Sequence, residues 1–294
     1  MLFAFIALYS CINVFSATDS TALKKDTIKH WKNGLFTSFS FTNVKFDNWA
    51  AGGDNSVAAM AVINCYSSYK DSMSSWDNTF DAGYGLLKSG SAPYRKNDDK
   101  FEINSKYGRL ATKKLYYSSL INFKSQFQDG KKYTDTSSTI VSRFMAPAYL
   151  TVALGMDYKP KDYFSLFASP LTGRLTMVLD NALADSGSFG VVRGKHHKEE
   201  LGAYIRARFQ KELGRKKNVN LLSTINIFNN YTDENKENRK NVDINWETMI
   251  NIKLGKYLAT SIFVNLVYDD NTSKKLQFKE VLGFGISYKF ASMK

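Results

Sequence analysis

The sequence predicts an all-β chain, a transmembrane antiparallel β-barrel of about 12 strands with long extracellular loops and short periplasmic turns. Three observations carry this. In the final run, Gln277 to Phe290, Phe278, Leu282, Phe284, Ile286, Tyr288 and Phe290 take one side, while Gln277, Lys279, Gly283, Gly285, Ser287 and Lys289 take the other. A period of two offers one greasy face to lipid and one small or polar face to a lumen. The second observation is the spacing of the connections, tight turns alternating with long polar loops. The third is an exclusion: beyond the first residues there is no run of roughly 18 apolar residues. A span must then be a closed sheet, the other arrangement that satisfies every backbone N–H and C=O in hydrocarbon.

The N-terminus supplies an address. Met1 to Phe15 (MLFAFIALYSCINVF) is apolar and uncharged and precedes Ser16, Ala17 and a polar stretch. This reads as a secretion signal over 1–17, followed by a periplasmic tail over 18–34 and the barrel over 35–290. A buried core helix and lipoprotein processing at Cys11 are the competing readings, the second disfavoured by the bulky Tyr9. With the signal removed, Cys65 is the one cysteine left, which leaves no intramolecular disulfide and no Cys-based metal site.

Strands are predicted over 35–46 and 57–70, then over Trp76–Leu86, where Asp77, Thr79, Asp81, Gly83 and Gly85 form the polar face. Runs at 99–110 and 114–128 follow. Ala148–Tyr158 sets Leu150, Val152, Leu154 and Met156 against Thr151, Ala153, Gly155 and Asp157. After 161–178, the run Leu201–Phe209 turns Tyr204, Arg206 and Arg208 to its polar side, continued by Gln210. The last four are 217–230, Val242–Leu254, Leu258–Tyr268 and 275–290. The total is even, as bacterial single-chain barrels require. Between these runs, Asp71–Met73, Ala111–Lys113, Lys159–Pro160, Leu213–Lys216 and Gly255–Lys256 are short. Asp47–Ser56, Lys88–Asp98, Asp129–Ile140, Leu179–His197 and Tyr231–Lys240 are long and polar, and Asn271–Lys274 departs from the rule. Turns on one side and loops on the other put both termini in the periplasm.

Six ordered motifs carry a resemblance. They are Asn48-Trp49-Ala50-Ala51-Gly52-Gly53-Asp54-Asn55-Ser56, Trp76-Asp77-Asn78-Thr79, Gln126-Phe127-Gln128-Asp129-Gly130, Pro147-Ala148-Tyr149-Leu150, Ser169-Pro170-Leu171-Thr172-Gly173 and Tyr268-Asp269-Asp270. The series resembles a Bacteroidetes family of outer-membrane β-barrels known only as a domain of unknown function, over about Trp31 to Phe290. The resemblance implies fold and location and supplies no activity, ligand or catalytic residue.

The candidate functional residues follow from the polar face. Asp77, Asp81, Glu102, Lys124, Arg206, Arg208, Glu247, Lys253 and Lys279 are expected to line a pore, with Lys106 and Asp243 beside them. A ring of one sign selects ions, whereas mixed charges in a narrow barrel pair and close the lumen. A mouth loop is expected at Trp49, Gly52, Gly53 and Asn55, either folding inward as a constriction or forming a tight turn with Trp49 at the interface. Tyr288 and Phe290 form the expected assembly signal, read by the barrel-assembly machinery.

The net charge of +13 comes from 40 Lys and Arg against 27 Asp and Glu. These bases are scattered, with no basic helix, so a nucleic-acid partner is not expected. Bases near the interfaces are expected to meet outer-membrane lipid phosphates or lipopolysaccharide, or to form a solvated rim. An enzyme is not expected. Of three histidines, His196 and His197 lie near Asp185 and Glu199, but adjacent histidines on an extended segment point to opposite sides and do not readily share a metal. No cofactor or metal is expected. Two functions remain: a narrow channel or transporter for small solutes, and a structural or accessory barrel with a closed lumen that docks another envelope protein.

Overall fold

The computed structural model describes residues 30–46, 54–134, 137–233, 236–255, 258–269 and 273–292. The first strands are β1 (Trp31–Val44), β2 (Ser56–Lys70), β3 (Ser74–Ser89), β4 (Arg95–Thr112) and β5 (Leu115–Ser125). A short hairpin follows, β6 (Gly130–Tyr133) with β7 (Ser138–Ser142). Then come β8 (Ala148–Lys161), β9 (Phe164–Met177), β10 (His197–Leu213), β11 (Val219–Asn230), β12 (Val242–Lys253), β13 (Leu258–Asp269) and β14 (Ser273–Ser292). All strands but the β6–β7 pair close into one antiparallel barrel in the order β1-β14-β13-β12-β11-β10-β9-β8-β5-β4-β3-β2. Each of its twelve strands falls on one of the predicted runs.

The closure joins the two ends of the chain, Asn33–Ser40 of β1 pairing with Gly285–Ser292 of β14. Gly285 is required there. A Cβ at that position would lie 2.1 Å from the Phe39 carbonyl oxygen of β1, so any larger residue pushes the closing strands apart.

Three local differences from the sequence reading have physical causes. β1 opens at Trp31 rather than 35, because Trp31 packs against Tyr69 of β2 and Trp76 of β3, with ring centroids 5.2 and 5.9 Å away. The predicted loop Lys88–Asp98 contracts to 90–94 because β3 and β4 run on, with a register shift at Gly85/Leu86 absorbing the mismatch. The predicted loop Asp129–Ile140 contains the β6–β7 hairpin, four residues too short on one arm to show a period. The segment 178–196 folds on itself through a short helix, Asn181–Asp185, capped by the Asp180 carboxylate, which accepts the Leu183 N–H at 3.0 Å. Val178, Leu183, Ala184 and Val191 bury there against Ala146, giving this loop its own small core.

The barrel wall is inverted relative to a soluble protein. Val152, Leu154, Met156 and Tyr158 of β8 and Leu276, Phe278, Leu282, Phe284, Ile286 and Tyr288 of β14 are exposed, Leu282 at 67%. A contiguous apolar exterior of this extent is far larger than the patches soluble monomers carry. Leu120, Ala153, Phe167, Tyr204 and Phe228 bury together inside, on β5, β8, β9, β10 and β11. No described helix is long and apolar enough to cross a membrane.

Candidate functional site in the barrel lumen

Alternation decides what faces inward. On β4, Lys100, Glu102, Asn104 and Lys106 share one side, and β3, β5, β10, β12 and β14 present their own acids and bases to the same space. Register then sets neighbours side by side: Asp81 lies opposite Glu102, and Glu102 opposite Lys124. Two acids next to each other on one wall need bases from elsewhere, and these reach across.

At mid-barrel, Lys100 Nζ donates to Glu247 Oε2 at 2.5 Å. Their strands, β4 and β12, stand on opposite sides of the ring, so this pair spans the lumen. Lys124 approaches Glu247 from β5 at 3.6 Å. Glu102 accepts from Asn104 at 3.0 Å and Asn122 at 2.7 Å, and Arg206 of β10 reaches it at 3.4 Å. Arg206 also donates to Asn226 at 3.2 Å. Asp81 accepts from Asn64 at 2.7 Å, and Arg208 donates to Gln210 at 3.1 Å.

Toward the short-turn end, Lys159 bridges Asp77 at 2.5 Å and Asp157 at 3.5 Å, and Lys106 pairs with Asp157 at 2.7 Å. At the long-loop end, Arg174 joins Glu200 at 2.8 Å and Asp243 at 2.7 Å. Its guanidinium lies 4.0 Å from the Phe228 ring centroid, which ties this layer to the apolar cluster below. Lys279 pairs with Asp98. Among the described residues the lumen holds cavities of about 50 and 30 Å³. The first is lined by the apolar Met60, Met249 and Phe263 together with the charged Asp81, Arg208 and Glu247. Spaces this small hold a few waters.

Of the predicted lining residues, Asp77, Asp81, Glu102, Lys124, Arg206, Glu247 and Lys279 are thus engaged in cross-strand or cross-lumen contacts, and Arg208 bonds Gln210 of its own strand. Lys253 stands apart at the short-turn end of β12 and makes no ion pair among the described residues. Lys100 and Lys159, central to the network, were missed by sequence reasoning. Lys100 shares the polar side of its run with Glu102, a signal that was available, whereas Lys159 fell in a predicted turn.

The mouth-loop residues Trp49, Gly52 and Gly53 lie outside the described residues. Asn55 is described, and its side-chain oxygen accepts the Phe46 N–H at 2.6 Å, closing the base of that connection. Of the assembly signal, Tyr288 is exposed on the outer face and Phe290 pairs in register with Leu35. His196 is held by Val178, its Nδ1 lying 2.8 Å from that carbonyl oxygen. Among the described residues no group of three or more His, Cys, Asp or Glu could hold a metal.

These features define the class: a closed twelve-stranded antiparallel barrel with an apolar exterior and a charge-paired interior. Residues 41–130 match a protein family described as Protein of unknown function (DUF3078). That stretch contains the first three of the six motifs. No curated protein matches the chain. Among solved structures it is similar to the translocator domain of the autotransporter NalP from Neisseria meningitidis, at 11% identity over 90% of each chain, TM-score 0.39. It is also similar to an outer-membrane channel from Pseudomonas putida F1, at 8% identity over 94% of this chain and 100% of that one, TM-score 0.38. A third is the CymD monoaromatic hydrocarbon channel, at 10% identity over 91% and 90%, TM-score 0.33.

Proposed function

We propose that the chain is an outer-membrane barrel whose lumen is closed to solutes, a structural or accessory barrel that docks another envelope protein. The observation that carries this is the Lys100–Glu247 pair spanning the ring, stacked with the Arg206–Glu102 and Lys159–Asp77 pairs. Partnered charges offer a permeating ion no ring of one sign, and Leu120, Phe167, Tyr204 and Phe228 add an apolar cluster. Membrane placement is supported by the exposed apolar wall, since lipid is the solvent that stabilises it. Outer-membrane lipid and lipopolysaccharide are then its surroundings, and the barrel-assembly machinery its route of insertion, through the β14 terminus.

The second reading is the narrow channel or transporter for small solutes, with the same charges as its lining. It is supported by the cavity of about 50 Å³ between Met60, Phe263 and Glu247, where the lumen is not filled by side chains. Conductance of the folded protein in a planar bilayer separates the two: the first reading expects silence, the second unitary steps. Fractionation tests placement, with soluble recovery of the mature chain overturning both.

A further inference from the structure

Exposed bases stand at both ends of the barrel. At the long-loop end some meet acids, Lys96 with Asp99 at 2.9 Å, Arg143 with Asp180 at 3.1 Å and Lys198 with Glu200 at 2.9 Å, while others such as Lys131 and Lys132 make no ion pair among the described residues. At the short-turn end the bases gather on three turns. Lys113 and Lys114 between β4 and β5, Lys161 at the end of β8, and Arg215, Lys216 and Lys217 between β10 and β11 are all exposed, and none makes an ion pair among the described residues. Lys70 with Asp162, at 2.9 Å, is the exposed pair at that end.

The three turns that bear these bases are consecutive around the ring, since β4, β5, β8, β9, β10 and β11 are neighbours in that order. Beside these bases stand exposed tyrosines, Tyr163 in the β8–β9 turn itself and Tyr117 and Tyr158 on the adjoining wall, and beyond them come Ile121, Leu154 and Leu166, all exposed. Lys211 lies over the Tyr163 ring, 4.6 Å from its centroid. Cations, then amphipathic rings, then aliphatic side chains is the order of chemistry met on passing from headgroup phosphates into acyl chains. A band running along a curved wall fits a lipid leaflet.

We infer that the rim formed by the β4–β5, β8–β9 and β10–β11 turns is a binding surface for anionic phospholipid headgroups of the leaflet it faces. The inference rests on the membrane placement proposed above. Each lipid phosphate meets unpaired ammonium or guanidinium groups while its chains lie against the tyrosines and aliphatic residues. The selectivity is electrostatic, so it distinguishes phosphatidylglycerol from phosphatidylcholine and weakens as salt rises.

The test uses protein purified from membranes in a neutral detergent, with phosphatidylglycerol, phosphatidylcholine and inorganic phosphate as probes. Wild type is expected to retain about tenfold more phosphatidylglycerol than phosphatidylcholine. The K113Q/K114Q/R215Q/K216Q/K217Q variant is expected to lose that preference, and K131Q/K132Q, at the other end, to keep it. Equal retention of the two lipids, or an unchanged preference in the rim variant, overturns the inference. So does inorganic phosphate displacing the lipid as well as phosphatidylglycerol does, which makes the rim a free-anion site. Folding is checked by the difference in gel migration between boiled and unboiled samples. If the fivefold variant fails that check, K113Q/K114Q is read in its place, with a partial loss expected and no loss contradicting. Absence of any migration difference in wild type is the failure of the barrel reading itself, which keeps the two failures apart.

Discussion

Arg206 illustrates what the lumen demands of single residues. It is 7% exposed, and its guanidinium serves both Glu102 and Asn226. Removing one partner of a buried pair strands the other, at a cost of about 3–5 kcal/mol, whereas replacing both with apolar residues of similar size is often neutral. R206A is expected to lower the stability of the folded barrel by about that amount in denaturant titration, and the E102L/R206L double variant by distinctly less. A double variant as unstable as the single one contradicts the pairing. Asp71, in the β2–β3 turn, works differently. Its carboxylate accepts the Met73 and Ser74 N–H groups at 2.7 and 2.5 Å and the Tyr69 hydroxyl at 2.9 Å. Those bonds hold its pKa below the ordinary aspartate value, the Met73 N–H contributing most. The folded-state pKa is lowered, so the stabilisation is complete above the unfolded value, about 3.9, and is lost as pH falls through the folded one. D71N is expected to flatten that part of the stability–pH profile, and an unchanged profile would show the turn contributes nothing.

At the scale of elements, each strand of the barrel was legible because the period of two survives wherever one face meets an apolar phase and the other a polar one. The β6–β7 hairpin and the folded loop 178–196 were not. Both lie off the wall, where no alternation is imposed, and the loop core of Val178, Leu183 and Ala146 joins residues from separate connections. The seam between β1 and β14 is the element on which closure depends. G285V places side-chain atoms against the Phe39 carbonyl, and overpacking of this kind typically costs about 1–3 kcal/mol. It is expected to reduce the fraction of protein showing a heat-dependent gel shift, whereas G255V, with open space around its Cβ, is expected to leave it intact. Replacing Phe290 by serine is expected to slow insertion without altering the fold of protein that does insert. Normal assembly kinetics would remove the terminal aromatic as a signal.

For the whole molecule, the sequence established which residues face inward, but not whom they meet. Lys100 and Glu247 are 147 positions apart, and no local spacing relates them. Their encounter depends on ring size and on the stagger of every strand between. Mixed charges left two outcomes open, a lined channel or a paired interior, and only the cross-ring distances weigh one against the other. The same geometry explains how a chain of +13 keeps a neutralised interior: many of the unpaired bases sit on the turns. The measurement that tests this account most directly is the conductance of folded, detergent-purified protein in a planar lipid bilayer. The account predicts a silent membrane under conditions where the gel shift verifies a folded barrel. Reproducible unitary steps from wild type, altered by neutralising Arg206 and Arg208, would contradict it.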